Sequence, residues 1–167
     1  MKQNYPEIRL GVVLSSRNNF SEKLSQDAAD GLKSLLEQEG FFCAVCPVLV
    51  EREEQIPEIL EYLKTERCNA LAIVLGNFGA ETPETILAQR FEGPVMYAGI
   101  TEDSNARMYD ARRDSYCGLL NCSYNLGIRR VKAWIPRYPI QTLSGLVENF
   151  RKFVRIAGAI VGLSQLK

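Results

Sequence analysis

The chain contains no histidine in 167 residues. That absence removes the Ser-His-Asp triad, the Cys-His pair, the zincin helix and the Cys2His2 site from what the chain can build alone. Net charge is also lacking: 20 Lys and Arg stand against 20 Asp and Glu. A nucleic-acid protein would instead carry a basic excess on one face. No apolar run approaches the roughly 20 residues needed to span a bilayer, and the opening Met1-Lys2-Gln3-Asn4 is not a secretory signal. No Gly-x-Gly-x-x-Gly or Gly-Lys-Ser/Thr loop follows a strand-like run, which argues against dinucleotide and ordinary nucleotide-triphosphate binding. What remains is an average globular composition in a length suited to one domain, with enough chain to bury roughly 70% of its unfolded surface.

Five cysteines are present, an odd number: Cys43, Cys46, Cys68, Cys117 and Cys122. With no export signal, they read as reduced thiols of a cytoplasmic protein. Cys43-x-x-Cys46 looks like half a metal or redox motif. It lies inside Phe41–Val48, however, a run that reads as a strand, where positions 43 and 46 point to opposite faces. Both read as structural thiols. Cys117 lies near two arginines in the first turn of a helix, but without a histidine base it is not expected to be a nucleophile.

The chain alternates short β-rich runs with longer helical ones. Ile8–Leu14 is a near-continuous apolar strand of the kind buried on both faces. A polar break, Ser15-Ser16-Arg17-Asn18-Asn19, leads to a helix with Ser21 as N-cap, apolar residues at Leu24, Ala28, Leu32, Leu35 and Leu36, and Gly40 as its stop. Phe41–Val48 is the second strand and Glu53–Thr65 the second helix. Ala70–Leu75 is the third strand. Thr82 is expected to cap a third helix with Pro83 in its first position. Pro94–Gly99 is the fourth strand, followed by a polar loop over Thr101–Arg113. A helix over Asp114–Leu126, capped by Asp114, a weak fifth strand at Val131–Ile135 and a helix over Thr142–Leu163 complete the pattern.

Repeated strand–helix units predict right-handed crossovers. The fold class is α/β, a three-layer α/β/α, Rossmann-like (flavodoxin-like) sheet of about five parallel strands in one domain spanning 1–167. The order 2-1-3-4-5 is preferred over the Rossmann order. In either, ligands bind at the carboxyl ends of the strands near the switch point. The loop after strand one offers Arg17, a multi-donor for hydroxyl or phosphate oxygens, with Asn18 beside it and a helix N-terminus following. The loop after strand three, Gly76-Asn77-Phe78-Gly79, places an aromatic between glycines; Phe78 could stack on a sugar face while Asn77 bonds its hydroxyls. The blander reading has Phe78 packed under the next helix.

These residues carry a resemblance. Gly11-Val-Val-Leu-Ser-Ser-Arg-Asn-Asn-Phe20, the turn Asn77-Phe78-Gly79 and the run Arg113-Asp-Ser-Tyr-Cys-Gly-Leu119 resemble the N-terminal part of the L-fucose/L-arabinose isomerase-like family across nearly the whole chain. Members of that family interconvert aldoses and ketoses with a divalent metal, usually Mn2+, held by Glu, Asp and His of later domains. The resemblance implies a domain that helps form a homo-oligomer and lends loop residues to a sugar site shared with a neighbouring subunit. Arg17, Asn18, Asn77 and Phe78 would be the substrate-binding residues, and neither catalytic nor metal-binding residues are expected in this chain. It would then be the N-terminal part of a longer protein, inactive alone. The alternative is a stand-alone module binding a sugar or phosphosugar at the same loops, with a flavin-binding protein third.

Overall fold

The computed structural model describes residues 6–103, 105, 107 and 111–166. The opening segment Met1–Asn4 and part of the Thr101–Arg113 loop lie outside the described residues. Five parallel strands form one sheet: β1 (Leu10–Ser15), β2 (Cys43–Val45), β3 (Ala70–Leu75), β4 (Val95–Ile100) and β5 (Ile140–Gln141), in the order β2-β1-β3-β4-β5. Five helices surround them: α1 (Glu22–Gln38), α2 (Ile56–Thr65), α3 (Glu81–Arg90), α4 (Ser115–Ile128) and α5 (Leu143–Ser164). A 3-10 turn, Glu53–Gln55, leads into α2. The result is the three-layer α/β/α arrangement expected from the sequence, with its switch point between β1 and β3.

The three central strands are buried along their whole length, which is why they read as unbroken apolar runs rather than alternating ones. Alternation sorts their side chains into two cores. Leu10, Val12, Leu14, Ala72, Val74, Met96 and Ala98 meet Leu32, Leu36, Phe150 and Phe153 of α1 and α5. Val13, Leu71, Ile73, Leu75, Val95 and Tyr97 meet Ile59, Leu63, Leu87, Leu119 and Cys122 of α2, α3 and α4. The same alternation separates Cys43, packed against the first core, from Cys46, buried in the second. All five cysteines are free. Burial pushes the Cys46 and Cys68 thiols up to about 11 and raises Cys43 and Cys122 as well.

The element boundaries depart from the sequence reading where proline or turn chemistry intervenes. The second strand pairs only over Cys43–Val45. Pro47 offers no N–H to a ladder, and the chain rejoins β1 at a single bridge, Ser15 to Val50. Val131–Ile135 is not the fifth strand. Trp134 alone bridges to Met96, and the paired strand comes later, at Ile140–Gln141. Pro136 and Pro139 separate the two contacts and again remove ladder donors.

Capping also differs from expectation. Ser21 stands at the N-cap of α1 and Asp114 at that of α4, yet neither side chain caps its helix; Asp114 is left-handed, with φ of 51°. The third helix begins at Glu81 with Ala80 as its cap, so Thr82 and Pro83 are already inside its first turn. Pro83 is tolerated there because the first N–H groups of a helix have no acceptor within it. At the other end of α1 the expectation holds. Gly40 has φ of +67°, and Phe41 N–H reaches back to Leu36 O at 3.0 Å, a closure that a left-handed residue permits.

Candidate functional site at the switch point

The loops leaving β1 and β3 lie side by side because their strands are neighbours in register, Ser15 opposite Leu75. Asn77 fastens them. Its amide nitrogen donates to Ser16 Oγ at 3.0 Å and to Ser21 O at 3.3 Å, and its amide oxygen accepts from Gly79 N–H at 3.1 Å. The side chain is fully buried, so its hydrogen-bonding capacity serves the loops. Phe78, half-buried, stacks on Phe20 with ring centroids 5.4 Å apart at 25°. The Arg17 guanidinium sits 5.0 Å from the Phe78 ring centroid and donates to Glu81 Oε2 at 3.0 Å. Arg17 is thus held by a carboxylate at the α3 N-terminus and by an aromatic face together. Asn18 is exposed beside it.

Arg17 and Asn18 open onto a cleft of about 230 Å3 completed by Glu51, Arg52 and Ala80. Two other hollows lie toward the opposite ends of the strands: one of about 190 Å3 around Arg9 and Cys43, and a groove of about 590 Å3 between residues 6–8 and α5. The groove is larger but lacks the convergent polar loops that fix a ligand's orientation. The structure therefore brings Arg17, Asn18 and Phe78 to one place and puts Asn77 directly beneath them.

Three further residues shape the site. Arg113 donates from Nη1 to Gly76 O at 2.6 Å and to Leu24 O at 2.9 Å, joining the β3 loop to α1. Its backbone N–H and that of Asp114 donate to the Glu102 carboxylate. Burial draws the Arg113 guanidinium below its usual value, with Glu102 opposing. Gly118 of α4 lets the Phe78 carbonyl approach; a Cβ there would stand 1.8 Å from that oxygen. Glu84 of α3 is fully buried under the turn. Arg113 and Gly118 fall within the run that carried the resemblance, so their importance had a signal, although their contacts did not. Glu84 had none.

Among the described residues no group of three or more His, Cys, Asp or Glu side chains could hold a metal ion. The carboxylates at the site are Glu51 on the cleft wall, Glu81, committed to Arg17, and Glu84, enclosed by protein, and they form no such group. The described residues therefore do not fit a divalent metal. No helix among them is long and apolar enough to cross a membrane.

Fold and site together define a doubly wound α/β domain with a polar cleft at its switch point, whose Arg17 also lies over Phe78. Residues 11–164 match the family model described as fucose/sulfoquinovose isomerase, N-terminal domain, and the chain belongs to that family. No curated protein matches the chain at a significant level.

Proposed function

We propose that this chain is the N-terminal domain of a sugar (aldose–ketose) isomerase of the fucose isomerase type, and that it lends Arg17, Asn18 and Phe78 to a sugar site completed by a neighbouring subunit. The observation that carries this reading is the preset Arg17–Phe78–Glu81 cluster at the mouth of the switch-point cleft. A guanidinium supplies donors to sugar hydroxyls, and an aromatic ring offers a face to sugar C–H groups. Asn77 keeps the two loops in register so that these groups converge. The Mn2+ expected of the family would polarise the carbonyl oxygen, acting as a Lewis acid. Its ligands would come from residues outside this chain, which has no histidine and, among the described residues, no fitting carboxylate set. A reducing, cytoplasmic setting belongs to the same reading and accords with five free thiols.

Residues 1–167 given an aldose and Mn2+ are expected to produce no ketose. Robust turnover would overturn the composite site. Weak binding of L-fucose, followed by calorimetry at high sugar concentration, is expected to fall about tenfold in Arg17→Ala through loss of charged-donor hydrogen bonds. Unchanged binding would remove Arg17 from the site. The second reading, a stand-alone sugar or phosphosugar module, draws on the two cations, Arg17 and Arg52, that line the cleft. Micromolar binding by the isolated monomer would favour it.

Homo-oligomerisation is the remaining part of the proposal. Tyr116, Leu120, Tyr124 and Ile128, spaced four apart on α4, are each 58–70% exposed. The helix carries no charged residue, so a second copy could lie against it with neither like-charge repulsion nor desolvated ions. Leu120→Glu with Tyr124→Glu is expected to shift the protein to monomer in sedimentation velocity. An unchanged oligomer would place the interface elsewhere.

A further inference from the structure

The buried carboxyl of Glu84 has no part in sugar binding, and its surroundings are unusual. Both of its oxygens lack a hydrogen-bond partner, and so does the adjacent Ser15 Oγ. Such groups are ordinarily paired once buried, because desolvation is otherwise uncompensated. The roof over them is the β3 turn. Gly79, at φ of +77°, lies so close that a Cβ there would stand 2.9 Å from Glu84 Oε2 and 2.6 Å from Ser15 Oγ. The same turn carries Phe78 and, through Glu81, meets Arg17.

We propose that Glu84 is a proton-operated latch for the 76–80 turn: the neutral carboxyl lets the turn close over it, and ionisation drives the turn off so that water can reach the carboxylate. The neutral acid has an O–H to donate to Ser15 Oγ; the anion can accept from the Ser15 hydroxyl instead, but its charge then stays buried. The anion has no cation to replace that proton. From α3 the facing charge is Glu81, a like charge already tied to Arg17 of the β1 loop. From α4 it is the neutral Cys122 thiol, and Arg129 at that helix's end is committed to Thr85. From β4 it is Tyr97, whose hydroxyl donates to Glu84 O rather than to the carboxyl. From β1 it is Ser15. Burial pushes the Glu84 carboxyl up to about 7. Ser15 and Cys122 lie near enough to pull it back in part, Glu81 pushes it further up, and Arg17 acts against that. The latch stands independently of the sugar site; only its consequence, that pH governs how Phe78 and Arg17 are presented, rests on the function proposed above.

Hydrogen exchange of the 76–84 segment, normalised for intrinsic chemical rates, tests the latch directly. Between about pH 6 and about pH 8 a single proton titrating near 7 predicts roughly a tenfold loss of protection in the wild type. Exchange in α5 stays flat over the same range, which separates local release from global unfolding. Glu84→Gln, which cannot ionise, is expected to hold its protection throughout. A flat wild-type segment overturns the proposal whether or not the variant folds, and so does a tenfold loss that persists in Glu84→Gln. Sugar affinity that ignores pH while the segment responds would overturn the site reading and leave the latch standing.

Discussion

Gly118→Ala is expected to unfold the domain about 10 °C below the wild type. The added methyl would stand 1.8 Å from Phe78 O and 2.6 Å from Phe78 C, both backbone atoms, and 2.9 Å from Leu75 Cδ2. Leu75 could change rotamer, but the Phe78 carbonyl cannot rotate away without moving the turn that Asn77 and Arg113 hold. Either α4 slides outward or the turn shifts by more than an ångström. Overpacking of this kind costs on the order of 3 kcal/mol. In a domain of this size each kcal/mol lowers Tm by roughly 2–4 °C. Calorimetric melting of the two proteins is the measurement. A variant melting within a degree or two of wild type would show that α4 is free to shift, and that Gly118 does not set the position of Phe78.

The second large effect is a stability that falls as pH rises. Glu84 has its folded-state value raised from 4.5 to about 7 by burial. The folded state therefore keeps this proton after the unfolded state has lost it. Its contribution is fully present below about pH 4.5 and is lost progressively as pH climbs through about 7. The total is on the order of 3 kcal/mol, at about 1.4 kcal/mol for every tenfold difference in acidity between the two states. Urea midpoints at about pH 5 and about pH 8 are expected to differ in that direction, and Glu84→Gln to lack this component. The difference between the two proteins isolates Glu84 from the exposed carboxylates. Parallel pH profiles would mean that the carboxyl is already hydrated in the closed form.

The architecture was legible because burial of β1, β3 and β4 on both faces leaves long Val/Leu/Ile/Ala runs that only a covered parallel sheet explains. The alternation of elements left the order 2-1-3-4-5 and the Rossmann order both open, and the observed order is the first. β5 was not legible. Its two paired residues are only half-buried, and the apolar stretch before them makes one bridge before prolines intervene. The loops of the site could be found because switch-point topology locates them without knowledge of any contact. Their inner construction could not. Asn77 read as a sugar ligand because an amide at a loop tip is ambiguous until its partners are seen. Glu84 read as nothing at all. It lies in a short helix whose Pro83, Thr85, Leu87 and Ala88 are also buried, so no polar face marked it as inward, and a glutamate is by default assigned to solvent.

Arg113 has a temporal meaning as well as a spatial one. Its two carbonyl acceptors lie 89 and 37 residues earlier in the chain. During synthesis from the N-terminus, β1, α1 and β3 emerge well before the side chain that ties α1 to the β3 turn. The tie of the β3 turn to α1 thus forms late, after Asn77 can already have joined the two loops. A ribosome stalled before residue 113 would display the sheet's centre with that last tie still missing.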